Sequence, residues 1–321
     1  MEDGKLLRQY EVMLRERYFV LEQCTQNSKG KIHGYLHCYT GEEAIAAGIC
    51  ADLNPKDSVF STHRAEGHLV SMGARFDRMM AESFGRVDGY GKGLGGVMHM
   101  SVPEIGLVHS NGVVGGGIGL AVGAGLAHRY RKDGGVAVAF FGDGASSHGV
   151  LYEGMNLASI WKLPVIFVLE NNGFAISSPA TKMISIADVA RRADGFSLPG
   201  IVVDGNDLVA VYEAASTAIR RARAGEGPTF LECKTYRTRG HNEGDPQWYY
   251  RTREDVKDWE QNRDPVKRCK ALLISKGLLT EEKDKAMVDA IKKELAEAVA
   301  FADASPYPGE EYLEKYVWKE Q

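Results

Sequence analysis

The apolar and polar positions along the chain predict helices alternating with short buried strands. Residues 6–24 repeat at helical spacing, with Tyr10, Met13, Leu14, Tyr18 and Leu21 on one face. Thr40-Gly41-Glu42-Glu43 reads as the start of a helix over residues 44–53, closed by Pro55-Lys56-Asp57. Asp57-Ser58-Val59-Phe60 is a short strand, and residues 117–130 form a helix whose small residues, Gly119, Ala121, Gly123, Ala124 and Ala127, permit close packing. Residues 137–141 are continuously apolar and stop at Gly142-Asp143-Gly144, the pattern of a buried strand entering a turn. Ser146 or Ser147 can cap the next helix, where Leu151, Met155, Leu157, Ala158 and Trp161 recur at helical spacing. Pro164 ends that connection, and residues 165–169 are a second buried strand stopping at Glu170-Asn171-Asn172-Gly173.

Further on, residues 177–185 read as a loop, 186–193 as a short helix and 199–205 as a strand and turn. Asn206-Asp207 caps a helix over residues 208–224, and Thr229–Lys234 is another strand. Two charged helices complete the chain, Pro265–Ser275 and a Thr280-capped span over 281–302. No repeat, low-complexity run or Gly/Ser linker divides the sequence. The expected fold is α/β, a mostly parallel sheet with helices on both faces over residues 1–262, with residues 263–321 as a helical C-terminal extension of the same domain.

Composition narrows the class. The 321 residues are 44% hydrophobic and 26% charged, ordinary for a globular protein, and a net charge of −4 carries no footprint for nucleic acid. No apolar run reaches the length of a membrane span, and the polar start MEDGKLLRQY lacks the features of a signal peptide. Five cysteines, odd in number and without CxxC spacing, suit reduced thiols in the cytoplasm or an organelle matrix. His33 and His37 are four apart, but Gly34 between them and the lack of a third ligand nearby argue for a surface or packing role over zinc.

The chemistry concentrates between residues 140 and 178. Parallel strands joined by a right-handed crossover end on one edge, so Asp143 and Asn172 meet there. One carboxylate and an amide oxygen suit Mg²⁺, which takes its remaining ligands from water and substrate phosphates. The amides of the glycine turn and the following helix start add an anion site. Two glycine strings compete with this unit for attention. Gly91-Lys92-Gly93-Leu94-Gly95-Gly96 contains a GxGxxG pattern with no strand before it, and Val113-Val114-Gly115-Gly116-Gly117 follows an apolar run of only two residues. Taken at face value they describe an NAD- or FAD-binding oxidoreductase, the rival reading.

Gly142-Asp143-Gly144, 26 residues and then Asn171-Asn172 resembles the diphosphate-binding motif of thiamin-diphosphate enzymes. The surroundings resemble the alpha subunit of the first component of 2-oxo acid and acetoin dehydrogenase complexes. The resemblance covers nearly the whole chain and implies the thiamin-diphosphate-binding fold, with thiamin diphosphate and Mg²⁺ as cofactors. It implies that Asp143, Asn172 and the Phe174 carbonyl hold the metal, and that His63, Arg64, Gly112, Val114, Asp143, Gly144, Ala145, Asn172 and His241 bind the cofactor. His241 is the implied catalytic residue, on a mobile loop that Asp245 and Arg251 order. The family's pyrimidine-activating Glu has no counterpart domain here. A beta subunit in a heterotetramer of two alpha and two beta chains is therefore implied, with a small carbonyl substrate and a lipoyl-bearing acyltransferase as acyl acceptor.

Met79-Met80-Ala81-Glu82 and Asn111-Gly112-Val113-Val114 look closest to acetoin-cleaving members, with pyruvate and branched-chain 2-oxo acids open. Four positions depart from the pattern. Glu66 stands in place of His, Val97 in place of Ser, Arg239 in place of His and Asn242 in place of Ser, which removes a phosphorylation switch if that Ser is the one modified in relatives. The first two leave room for a non-catalytic homologue.

Overall fold

In a computed structural model, which describes residues 1–317, six parallel strands form one sheet in the order β2-β1-β3-β4-β8-β7. The strands are β1 (Ser58–Ser61), β2 (Leu107–Ser110), β3 (Ala137–Gly142), β4 (Val165–Asn171), the two-residue hairpin β5 (Phe174–Ala175) and β6 (Ser178–Pro179), β7 (Gly200–Asp204) and β8 (Thr229–Lys234). The helices are α1 (Asp3–Ser28), α2 (Glu43–Cys50), α3 (Glu66–Ser71), α4 (Phe76–Ser83), α5 (Gly116–Arg131), α6 (Gly149–Ile160), α7 (Ala180–Met183), α8 (Leu208–Arg223), α9 (Arg253–Asn262), α10 (Pro265–Ser275), α11 (Glu281–Ala304) and α12 (Tyr312–Lys315). None of the described helices is long and apolar enough to cross a membrane.

Alternation along the strands explains the two-faced core. Val138 and Phe140 of β3 join one cluster with α1, α2, α4, α8, α10 and α11, whereas Ala137, Ala139 and Phe141 join a second with α5 and α6. The continuously apolar strands were thus a signal of burial on both faces. In α1 the buried set differs from the one-face expectation. Phe19 and Val20 are buried, Tyr18 and Leu21 only half-buried, and Glu16 and Gln23 lie inside. A helix packed against α2, α3, α10 and α11 at once is covered on more than one side.

Several local expectations are corrected. The helix after β3 is capped by the His148 side chain and not by a serine, because Gly144–Ser147 form a separate 3-10 turn under an Asp143 cap. Leu157 and Trp161 face outward from the end of α6. The expected loop at 177–185 contains β6 and α7, and the short helix near 186–193 is a 3-10 run over Val189–Phe196. Strand β2 was not foreseen, so a strand does precede the 113–117 glycine turn. The five cysteines are all buried free thiols, and Cys24 lies against Cys38 with 3.2 Å between sulfurs.

The 91–96 glycine string has a structural explanation. The Glu82 carboxylate at the end of α4 accepts the backbone N–H groups of Gly91 (2.7 Å), Gly93 (3.0 Å), Gly95 (2.8 Å) and Gly96 (3.0 Å). The loop is an anion-binding nest already filled by a side chain of this chain. Gly93 and Gly96 have φ of +76° and +61°, and a Cβ on Gly95 would come within 2.5 Å of the His99 carbonyl. A dinucleotide has no place there. Val97 and Glu66, two of the departures, are buried at 4% and 0% exposure and border no part of the cavity described below. Neither Glu66 oxygen has a hydrogen-bond partner, and burial pushes its carboxyl up to about 8.

Glu82→Gln should lower stability by about 3 kcal/mol in a denaturant melt, since an NH₂ group would face two N–H donors. Glu66 gives a second prediction with a definite sign. Its folded-state pKa lies above the unfolded one, so its neutral form favours the fold below the unfolded value and that advantage is lost as pH rises toward about 8. Glu66→Gln should therefore raise the melting temperature more at pH 8 than at pH 5, and a pH-independent shift would contradict this.

Candidate active site

The chain runs from β1 outward to β2 on one side and from β3 to β4 and β8 on the other, so the sheet changes direction between β1 and β3. Crevices at the carboxyl edge of such a switch point bind ligands. A cavity of about 210 Å³ lies there, bordered by residues that follow β1 (Ser61 to Arg64), β2 (Asn111 and 113–117), β3 (140–145) and β4 (Asn172, Phe174, Ala175, Ile176), with Arg237 and His241 from beyond β8.

Asp143 sits at the floor, 4% exposed. Its Oδ1 accepts the Gly144 N–H at 2.8 Å, while Oδ2 is buried with no partner. Burial raises its carboxyl to about 6, against the lowering influence of the Gly144 N–H and the nearby Arg237 and Arg64 charges. Asn172 is turned by Glu42, whose carboxylate accepts the Asn172 Nδ2 proton at 3.2 Å, leaving Oδ1 to accept the Phe174 N–H at 3.3 Å. The Phe174 carbonyl accepts from Arg237 Nη1 at 3.0 Å. Glu42 itself is buried and pushed up to about 8 by burial and by the neighbouring Glu170.

Arg64 and Arg237 are 4% and 1% exposed, and among the described residues neither pairs with a carboxylate. Their donors go instead to neutral oxygens. Arg64 donates to the Cys38 carbonyl (2.9 Å) and the His241 carbonyl (2.8 Å), and Arg237 to Phe174, the Ile176 carbonyl and the Tyr250 hydroxyl. Two uncompensated cations beside a cavity form an anion site, since burying unpaired charge is otherwise costly. Residue types and spacing alone did not single out Arg237, which reads equally well as a solvated loop residue.

Three imidazoles gather at the same place. His37, His63 and His241 have ring centroids 4.5, 4.8 and 5.4 Å apart. His37, expected to be a surface or packing residue, is buried and packs edge-on against His63 and His241 behind the cavity lining. Burial first and the Arg64 charge second hold His37 down to about 4 and His241 to about 3, and push His63 well below the usual range. All three rings are neutral near pH 7. His37 Nδ1 lies 3.1 Å from the Tyr35 carbonyl and carries the proton, leaving Nε2 as an acceptor. Arg64 Nη2 points at His241 Nδ1 at 3.3 Å, which places the His241 proton on Nε2. The His63 Nε2 is buried without a partner.

The loop that carries His241 is tied down at both ends. Asp245 accepts the His241 N–H (2.7 Å) and the Tyr250 hydroxyl (2.5 Å), and Arg251 donates to the Arg237 carbonyl (2.6 Å). Of the remaining residues singled out in the sequence, Val114, Gly144 and Ala145 border the cavity, whereas Gly112 lies outside it against Met98. Val113, Val114 and Ile176 form an apolar rim exposed at 70%, 60% and 59%.

The family described as Dehydrogenase E1 component matches residues 11–311. The chain is 41% identical over 313 residues, 98% of its own length and 93% of the relative's, to the alpha subunit of an acetoin:2,6-dichlorophenolindophenol oxidoreductase from Bacillus subtilis. It is 42% identical over 311 residues, 96% and 87% of the two chains, to the pyruvate dehydrogenase E1 component subunit alpha of Zymomonas mobilis. An acetoin-oxidoreductase alpha subunit from Cupriavidus necator is 41% identical over 317 residues, 98% and 94% of the two chains. By a family match over most of its length and these near-full-length relatives, the chain belongs to the Dehydrogenase E1 component family of thiamin-diphosphate-dependent oxidoreductases, on its alpha-subunit side.

Proposed function

We propose that this chain supplies the diphosphate- and metal-binding half of an active site shared with a beta subunit, in an enzyme that cleaves acetoin or decarboxylates a 2-oxo acid. The observation that carries the reading is the pairing of two buried guanidinium groups lacking carboxylates with an Asp143 oxygen lacking any partner, around one cavity. The guanidinium pair needs an anion and the Asp143 oxygen a cation, and a magnesium-bound diphosphate is both. Arg64, Arg237 and His63 would hold the diphosphate; Asp143 Oδ2, Asn172 and the Phe174 carbonyl would hold Mg²⁺, the carbonyl exchanging its Arg237 contact for the ion.

Thiamin diphosphate, when bound, supplies a carbanion nucleophile for carbonyl cleavage. This chain's residues then handle protons and exclude water. His241, neutral with its proton on Nε2, can donate to a developing oxyanion. Its depressed pKa favours a ring that returns to the neutral state. The cavity is small for a whole cofactor, and its exposed apolar rim at Val113, Val114 and Ile176 suits coverage by a second subunit. Two alpha and two beta chains, with a lipoyl-bearing acyltransferase receiving the acyl group, complete the proposal. Relatives named for acetoin and for pyruvate are equally similar, so substrate identity is left to assay.

Calorimetric titration of thiamin diphosphate with Mg²⁺ into the alpha chain, alone and co-purified with its beta chain, tests this. Metal-dependent binding is expected in the mixture, abolished by Asp143→Ala and weakened roughly 10- to 100-fold by Arg237→Ala. Binding that ignores Mg²⁺ or survives Asp143→Ala would refute the assignment. A dye-reduction assay with acetoin, pyruvate and branched-chain 2-oxo acids then names the substrate.

A further inference from the structure

Behind the cavity lies a buried polar chain that the proposed function does not use. Ser61 forms part of the cavity wall at the end of β1 and is 2% exposed. Its Oγ is 2.8 Å from His68 Nδ1 on α3. His68 is fully buried, its ring lying 3.8 Å from that of Phe140 between centroids. On its far side, Nε2 is 3.2 Å from Glu170 Oε1 and 3.5 Å from the Tyr39 hydroxyl, and Tyr39 itself donates to Glu170 at 2.5 Å. Tyr39, His68 and Glu170 are each at most 3% exposed.

The directions of these contacts follow from counting protons. The Tyr39 proton is committed to Glu170, so the neutral form of the His68 ring, whose Nε2 faces two oxygen acceptors, carries its one proton there. Nδ1 is then the bare nitrogen and can only accept, which obliges Ser61 to donate its hydroxyl proton inward. What Ser61 turns toward the cavity is lone pairs alone. The wall is otherwise rich in donors, with Arg64 and Arg237 beside it, and the acceptor at Asp143 is accounted for by a cation. Ser61 Oγ is a further acceptor on a wall that also carries the unpartnered His63 Nε2. A phosphate oxygen beside it would meet another acceptor, so it has no reason to bind there. An apolar side chain at position 68 would fill the same core space without desolvating an imidazole, and this argues that the network is kept for what it does to Ser61.

We propose that Ser61, held in this orientation by the positioning residues His68, Glu170 and Tyr39, contacts the ring portion of the cofactor, whose cationic thiazolium and exocyclic amine are its electron-poor parts, and not the diphosphate. The network thereby sets which way round the ligand lies in the cavity. The proposal rests on the thiamin diphosphate reading above and refines it.

Pyrophosphate, which lacks the rings, separates the two halves of the ligand. Titrations of Mg²⁺–thiamin diphosphate and of Mg²⁺–pyrophosphate would be run on the alpha chain co-purified with its beta chain. Ser61→Ala and His68→Leu should each weaken thiamin diphosphate roughly three- to tenfold, the worth of one hydrogen bond, with pyrophosphate affinity unchanged. His68→Asn, whose amide oxygen can still accept from Ser61, should stay near the wild type, and Ser61→Thr should restore affinity. Equal losses for both ligands would overturn the proposal, showing a phosphate contact or a general disturbance of the site, and so would no loss for either. A wild type that binds pyrophosphate but not thiamin diphosphate would instead refute the function on which the proposal depends.

Discussion

Two guanidinium groups held inside the protein without a carboxylate partner are the constraint on which the site depends. Removing Arg64 and Arg237 from water is costly, and carbonyl oxygens from residues 38, 174, 176 and 241 offset only part of that cost. Their donors fix the backbone of three separate segments around one point. The 37–42 strip, the turn after β4 and the loop after β8 are all drawn toward the same pair of charges. Burial first, and these charges second, keep His37, His63 and His241 neutral, so that three imidazoles can crowd together without mutual repulsion. An anion entering the cavity relieves the residual cost, which makes ligand affinity and local order one phenomenon.

The molecule contains two glycine-rich loops that look alike in sequence and differ in this respect. At 91–96 the amides converge on the Glu82 carboxylate, and the nest is complete without any ligand. At 113–117 the loop opens onto a cavity whose polar groups, Asp143 Oδ2 and His63 Nε2, lack partners. Whether buried polar atoms are satisfied separates a structural glycine string from a functional one. Glu66 is the exception that needs its own account. It is unpartnered yet does not border the cavity, and its carboxyl is kept neutral by burial.

Much of the architecture was legible in the chain. The apolar runs ending at Gly142 and Asn171 became neighbouring parallel strands in register, Phe141 beside Leu169, and Asp207 and Thr280 cap their helices as their residue types suggest. The spacing from Gly142-Asp143-Gly144 to Asn171-Asn172 placed both at one sheet edge, because a parallel crossover leaves no other choice. Short elements were read less well. Strand β2 has four residues, and the cap on α6 comes from His148 because the serines were absorbed in a 3-10 turn. Signals of that length are weaker than the tertiary contacts that settle them.

Local pattern therefore determined the fold class, the strand–helix order and the acid and amide at the carboxyl edge, since periodicity and turn chemistry act over a few residues. Tertiary structure alone decided the partners. Arg64 and His241 lie 177 residues apart and border one cavity, Glu42 turns the amide of Asn172, and Ser61, His68 and Glu170 make one hydrogen-bonded file. Each of these depends on a distance between segments that no local pattern encodes, and on the absence of water, which gives a buried charge or an unmatched lone pair its influence.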